Sequence, residues 1–499
     1  MKIELVNAIN YEQLKNSLLN DGFEIIDINY LIEELKQKEK ERRASIVAAS
    51  GRLSRYPGNV FEMFDKVENR TLEKNNKTIE NITGMGHESI LDHDYLVFKI
   101  QDVSPVIEQT IIAERFSSFT IKSRREVDFS NVGFYIPDFH DKDDNILENN
   151  DELKQKYTQY MKSLFESYSY FEKSGIPKED ARFVLPYCYY SNIVMGVDAH
   201  TLKDMIIKYT KTKYANIQEL REFGEYLYQI AKENVPYIIP LIDKVCKKDF
   251  DDVDRLLSDT ITKEDYQILD SPKLLNYSKD IDKTIVISAL MRRYQYNYDQ
   301  ALKIYNEIIN ESPELVEKIM RTITFESDKA ELAQVNFEFQ IPLSFAVLTH
   351  LTRHRTHQLL IPDFVPNIDL MQYKIPPKIQ KENLDLYCEI FIKNQEMYNY
   401  FKNQGVCEED LVYFTLSGNM VNVVTQMDGK TLEHILGLRE CTKAQWETRE
   451  MAVGLHNEIN KVVSAKVFTK LLGATCTTQG YCKEGKESCG RIKTLANSN

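Results

Sequence analysis

The stretch GIPKEDARFVLP, beginning at Gly175, and the stretch GVCEEDLVYFTL, beginning at Gly405, decide how the chain is organised. Each opens on a Gly followed by an Asp at a fixed distance, Asp180 and Asp410, and the two stand 230 residues apart. GVDAHTLKDM, ending at Met205, and QMDGKTLEHI, ending at Ile435, keep the same shift, so Asp198, Thr201 and Leu202 recur as Asp428, Thr431 and Leu432. Upstream, FKIQDVSPVIEQTIIAER ends at Arg115 and FQIPLSFAVLTHLTRHR ends at Arg355, 240 residues apart, and Ile136-Pro137 and Ile375-Pro376 keep nearly that spacing. Several matches in one order point to a duplication. Solenoid periods run to about 20–50 residues, so this one is far too long. The reading is two tandem domains, residues 1–250 and 251–499, joined in the charged stretch 247–273.

Each half mixes two patterns. Residues 95–100 and 335–341 are strand-like. Met451, Leu455, Ile459 and Val462 recur at three and four residues, the stripe of an amphipathic helix. Asp428 and Thr431 stand where a helix N-cap is expected. The fold class is therefore α+β, two tandem helix-rich α/β domains.

Composition narrows the function. The chain has 499 residues, 42% hydrophobic and 28% charged, a globular balance with ample material for a core. Its 29 Tyr and 23 Phe exclude disorder as the dominant state, and 18 Gly and 14 Pro exclude collagen-like classes. A net charge of −13 argues against nucleic-acid or anionic-membrane partners, which need a basic face. It leaves room for a small anion in a local basic pocket. No apolar run reaches the roughly 18 residues of a membrane span, and the N-terminus lacks a signal core. The expected location is cytoplasmic, with the eight Cys as reduced thiols.

Arg353-His354-Arg355 is the sharpest local signal. Three donor side chains in a row, between apolar LSFAVL and LLIP, fit either a bound anion such as a phosphate or a structural ion-pair cluster. The paired-charge surface helix that accounts for Glu447, Arg449 and Glu450 covers Arg439 less well, because Leu436 and Leu438 stand beside it, and so a site role for Arg439 stays open next to that reading. Ser123-Arg124-Arg125 is a second basic cluster. Arg182, inside apolar ARFVLP, needs a buried partner or an anion. Gly86-His87-Glu88-Ser89 opens a helix or turn. Cys476, Cys482 and Cys489 crowd the C-terminal tail, but zinc wants four ligands and the tail has no His, so free thiols are expected and no metal site. There is no Walker loop, no GxGxxG and no Ser/His/Asp arrangement.

Together and in this order, these motifs resemble the flavin-dependent thymidylate synthases. That family carries GHxS, then RHR followed by a Ser and an Arg, then AR-x-x-LP and LR-x-x-x-x-AQWE. The first half has Gly86-His87-Glu88-Ser89, Ser123 and Arg125, and Ala181-Arg182 to Leu185-Pro186. The second has Arg353-His354-Arg355 and Leu438-Arg439 with Ala444-Gln445-Trp446-Glu447. Neither half is complete. The first has Ala113 and Glu114 before Arg115 where the family has Arg-His, and Tyr209 where the LR Arg belongs. The second has Asp363 and Val365 for the Ser and Arg, and Val412 for the Arg before LP.

The resemblance implies an FAD-dependent methyltransferase that converts dUMP to dTMP with methylenetetrahydrofolate and NADPH. It implies a composite site in which Ser123, Arg125 and Arg182 bind the nucleotide phosphate. Arg353 and Arg439 then act on the base as substrate-binding and catalytic residues. His87, Ser89, Arg115, Arg353, His354, Arg355 and His434 are the implied flavin contacts. A homodimer forming a pseudo-tetramer is the implied assembly. Ile121 and Ile361 replace the Glu that precedes the Ser by two, and His350 replaces a Gln. They keep open a same-fold flavoenzyme acting on another pyrimidine nucleotide. A non-catalytic nucleotide-binding or scaffold protein is the third reading.

Overall fold

The computed structural model describes residues 1–246, 253, 256, 257, 260, 267–363 and 369–492. The expected boundary near residue 250 and the position of Val365 lie outside the described residues. The chain forms two compact units, one of Met1–Asp265 with Asp385–Thr415, the other of Tyr266–Leu384 with Leu416–Asn499.

The first unit holds strands β1 (Lys2–Leu5), β2 (Tyr95–Val103), β3 (Ser118–Ile121) and β4 (Ser191–Asp198). They form an antiparallel sheet in the order β1-β2-β4-β3. The second unit holds β5 (Lys273–Tyr277), β6 (Asn336–Ser344), β7 (Gln358–Leu360) and β8 (Met420–Asp428), in the order β5-β6-β8-β7. The two topologies are the same. Alternation builds both sheets: in β2, Leu96, Phe98 and Ile100 are buried, while Tyr95, Lys99 and Gln101 face out. The architecture is α+β and helix-rich, and it occurs twice.

A helix follows each central strand: Pro105–Ala113 after β2 and Phe345–Thr352 after β6. Each starts at a serine in extended conformation, and a distant glutamate holds that serine. Ser344 N and Oγ both donate to Glu447, at 2.7 Å each. Ser104 N and Oγ donate to Glu219 in the same way. Tyr413 OH adds a third donor to Glu219 at 3.1 Å. Glu447, read from sequence as part of a charged surface helix, is thus buried. The charge pattern misled because the carboxylate satisfies a serine that is far away in sequence.

Helix Asn150–Lys173 buries Leu153, Tyr157, Met161, Leu164, Tyr168 and Phe171 at helical spacing. In the same unit it meets helix Leu384–Asn403, with Tyr160 OH donating to Asn394 Oδ1 at 3.1 Å. Phe139, Tyr157, Phe401 and Phe414 pack there, with centroids 5.1–6.4 Å apart. Each buried ring contributes about 1.5–3 kcal/mol. Asp410 Oδ2 accepts from His140 N at 2.7 Å and lies 3.0 Å from His140 Nδ1. The Gly-to-Asp stretch of the second half therefore completes the core of the first unit.

The copies also differ in sign. In the first unit, Lys203 on helix Ala199–Lys211 pairs with Glu88. In the second, the matching residue on helix Gly429–Arg439 is Glu433, which pairs with Lys329 at 2.5 Å.

Candidate active site

In the second unit, Asp428 starts helix Gly429–Arg439 by accepting from Thr431 N at 2.7 Å. Asp198 does the same for Thr201 in the first unit, at 2.6 Å. Arg439 is the last residue of its helix, so its side chain leaves beside the turn after Phe345–Thr352. There its Nε donates to His354 Nε2 at 3.0 Å and its Nη2 donates to His350 O at 3.1 Å. A ring nitrogen that accepts from a guanidinium carries no proton, so His354 is the neutral Nδ1–H tautomer. Burial depresses its pKa to about 3, and the charge of Arg439, then His434, His357 and Arg353, add to the effect. His434 meets it edge to face at 5.6 Å, and its own pKa is lowered by burial.

Of the Arg-His-Arg triplet only His354 points inward; Arg353 and Arg355 are exposed. The apolar flanks suggested more enclosure for the arginines. They lie outside because the helix ends at Thr352 and the chain turns, with His357 taking the inward position. His357 contacts Thr425 Oγ1 at 2.6 Å and Leu351 O at 3.2 Å. His350, where the family has Gln, contacts Thr448 Oγ1 at 2.9 Å.

The first unit gathers a different set. Arg125 Nε donates to Glu179 Oε2 at 2.8 Å, and Arg182 Nε donates to Glu179 O at 3.2 Å. Ser123 Oγ accepts from Arg125 N at 3.3 Å. Ser123, Arg125 and the buried Arg182 are thus one cluster organised on Glu179. Arg124 turns the other way, into a buried pair with Glu108 at 2.9 Å that Ser191 Oγ joins at 2.7 Å. It is structural. The positions equivalent to the Arg439 cluster are spent differently here. Tyr209 is fully buried, Glu114 pairs with Lys208 at 2.6 Å, and Arg115 lies over the Phe116 ring.

His87 and Ser89 line a pocket of about 640 Å3. Arg52, Arg55 and His93, which sequence reasoning did not single out, line it too. Among the described residues no carboxylate lines it, so the donor set suits an anionic group such as a pyrophosphate. In the second half of the chain, Val412 is buried in place of the Arg before LP. Among the described residues no group of His, Cys, Asp or Glu is arranged to hold a metal ion, and no helix is long and apolar enough to cross a membrane.

These two clusters sit on one α+β domain present twice. The sequence model for the thymidylate synthase complementing protein family matches residues 34–237 and 273–464, once in each half. The chain belongs to the flavin-dependent thymidylate synthase family. It is 31% identical over 211 residues to the flavin-dependent thymidylate synthase of Sulfolobus acidocaldarius, covering 41% of this chain and 77% of that one. The Clostridium tetani enzyme is 27% identical over 244 residues, 45% of this chain and 94% of its own. The Pyrococcus furiosus enzyme is 31% identical over 223 residues, 42% and 88%. Each relative thus spends most of its length on less than half of this chain, as two tandem copies require.

Proposed function

We propose that the protein is a flavin-dependent thymidylate synthase that methylates C5 of dUMP with methylenetetrahydrofolate and NADPH. The two halves divide the residues that the family keeps in one chain. The observation that carries this reading is complementary loss. Ser123, Arg125 and Arg182 cluster in the first unit, where Tyr209 and Glu114 replace the Arg-His pair. Arg439 and His354 cluster in the second unit, and in the second half of the chain Asp363 and Val412 replace the phosphate-side residues.

Ser123, Arg125 and Arg182 bind the phosphate and so fix the base, a positioning contribution. Arg439 and Arg353 stabilise negative charge on the pyrimidine as C5 becomes nucleophilic. His354, neutral and hydrogen-bonded, orients the Arg439 guanidinium without competing for its charge. Arg52, Arg55, His87 and Ser89 hold the flavin's phosphates, with Arg115, Arg353, His354, Arg355 and His434 as further flavin contacts. When bound, FAD supplies the hydride-carrying redox chemistry, which side chains lack. The assembly is a homodimer, a pseudo-tetramer of four domains, which light scattering would report as twice 58.3 kDa.

The test is the visible spectrum of the purified protein with and without dUMP. A flavin spectrum that shifts on dUMP supports the reading. A flavin spectrum indifferent to dUMP but shifted by another pyrimidine nucleotide favours the second reading, for which Ile121, Ile361 and His350 are the specific reasons. No flavin after added FAD refutes both.

A further inference from the structure

The two units share the elements that frame the pocket lined by His87 and Ser89, but not its charges. In the first unit, Asn59 caps helix Val60–Glu68, and Arg55 and Tyr56 stand four and three residues before that cap. In the second, Asn297 caps helix Tyr298–Ile304, and Arg293 and Tyr294 stand at the same distances before it. The sheets fix a second register. Tyr95 opens β2 opposite Asp198, and Asn336 opens β6 opposite Asp428. Counting back from these pairs sets His87, Glu88, Ser89 and His93 against Asp328, Lys329, Ala330 and Gln334. The inverted ion pairs agree with that count, because Glu88 meets Lys203 and Lys329 meets Glu433.

Matching places therefore carry opposite chemistry. In the first unit, Arg52, Arg55, His87, Ser89 and His93 offer an anion their N–H and O–H groups. In the second unit the arginines are already taken. Arg293 Nη2 donates to Glu326 Oε2 at 2.8 Å and to Glu331 Oε1 at 3.3 Å. Arg292 Nη1 donates to the other oxygen of Glu331 at 3.2 Å, and Arg292 Nη2 donates to Asp328, the residue at the His87 position. Glu331 is buried, which anchors the network in the unit. Two guanidiniums thus face three carboxylates. A phosphate arriving there would meet like charge and would have to break charge-assisted bonds.

We propose that Glu326, Asp328 and Glu331 stand in the second unit where the flavin's phosphates would lie. Given the flavin reading above, on which this rests, each chain then binds one flavin, in the first unit's pocket, and a homodimer binds two. A duplicated chain with both pockets intact would bind two flavins per chain. Here the residues that would admit the second are reversed: Asp328 puts a negative charge where His87 offers a donor, and Ala330 puts a methyl group where Ser89 offers a hydroxyl. The network also has a structural use. It ties the end of helix Ile281–Tyr294 to the segment that leads into β6.

The experiment saturates the purified full-length protein with FAD, removes the excess by gel filtration, and measures flavin absorbance against protein from amino-acid analysis. The expected ratio is one flavin per chain. Two per chain overturns the proposal while the functional reading stands; none overturns both. This ratio decides without any variant. Variants then locate the flavin by equilibrium dialysis. Arg55→Ala should weaken FAD binding about 10- to 100-fold, the loss of one charged hydrogen-bonding group. Arg293→Ala should leave it unchanged. Equal weakening in the two, with circular dichroism and Trp446 fluorescence like the parent's, overturns the placement. Glu326→Gln, which removes one charge and keeps the side chain's size, repeats the test if Arg293→Ala does not fold. Its affinity for FAD should equal the parent's, and a second flavin bound by it supports the carboxylates as the barrier.

Discussion

His354→Gln should remove most of one acid-sensitive step from the stability of the second unit. The folded-state pKa of His354 is about 3, against about 6.5 for an unfolded histidine. Because the folded pKa is depressed, the unfolded chain takes up a proton that the folded chain refuses. The associated stability is complete above pH 6.5 and is lost as pH falls through the window toward 3. At pH 5 the gap is 1.5 units below the unfolded value, worth about 2 kcal/mol at 1.36 kcal/mol per unit. Glutamine keeps an acceptor for the Arg439 Nε–H but cannot titrate. The single Trp, Trp446, opens helix Trp446–Ile459 in the same unit and reports its unfolding by fluorescence. Urea transitions of parent and variant at pH 7.5 and pH 5.0 then give a difference of differences, in which the other histidines cancel. The parent should lose about 2 kcal/mol more than the variant. Equal losses would show that His354 is not held neutral by its surroundings.

Glu219 predicts the opposite slope: burial lifts its pKa to about 7, so its stability contribution is present below pH 4.5 and lost as pH rises toward 7. Glu219→Gln should therefore gain about 3 kcal/mol over the parent between pH 4 and pH 8, read by calorimetry. His456 faces two acceptors, Glu440 Oε1 at 2.7 Å and Thr469 O at 3.2 Å, and its pKa is raised first by the Glu440 bond. Its contribution is full below pH 6.5 and lost as pH rises through the folded value. His456→Gln should cost about 1 kcal/mol at pH 6 and progressively less above, measured by Trp446 fluorescence. Arg182→Ala should raise the KM for dUMP about 10- to 100-fold, the loss of one charged hydrogen-bonding group. Arg439→Ala should lower kcat about 100- to 1,000-fold with flavin content retained, checked by absorbance and steady-state assay. Equal flavin loss in both variants would sink the division of labour.

The parts of the site legible in sequence are those whose residues are out of place chemically. Arg182 among apolar neighbours and Arg439 just after Leu436 and Leu438 both lie against specific acceptors. Asp198 and Asp428 could be read as caps because capping is local in sequence. Arg52 and Arg55 could not be read, because only the packing of the long helix Ile25–Leu53 brings them to His87. Glu447 looked like one charge among several on a surface helix. Its partner, Ser344, is a long-range contact that no periodicity encodes. The membership of residues 385–415 in the first unit is equally invisible, since their own pattern asks for burial without saying against what.

The inverted pair, Glu88–Lys203 in one copy and Lys329–Glu433 in the other, bears on how a duplicated gene can age. Had recombination pasted one copy's helix over the other's, Lys203 would have met Lys329, or Glu433 would have met Glu88. Lys203 and Glu433 are both buried, where like charges are least screened and most costly. The swap of sign is therefore a barrier to homogenisation. Exchange of this helix between the copies would set like charges against each other at a buried position, a cost in folding.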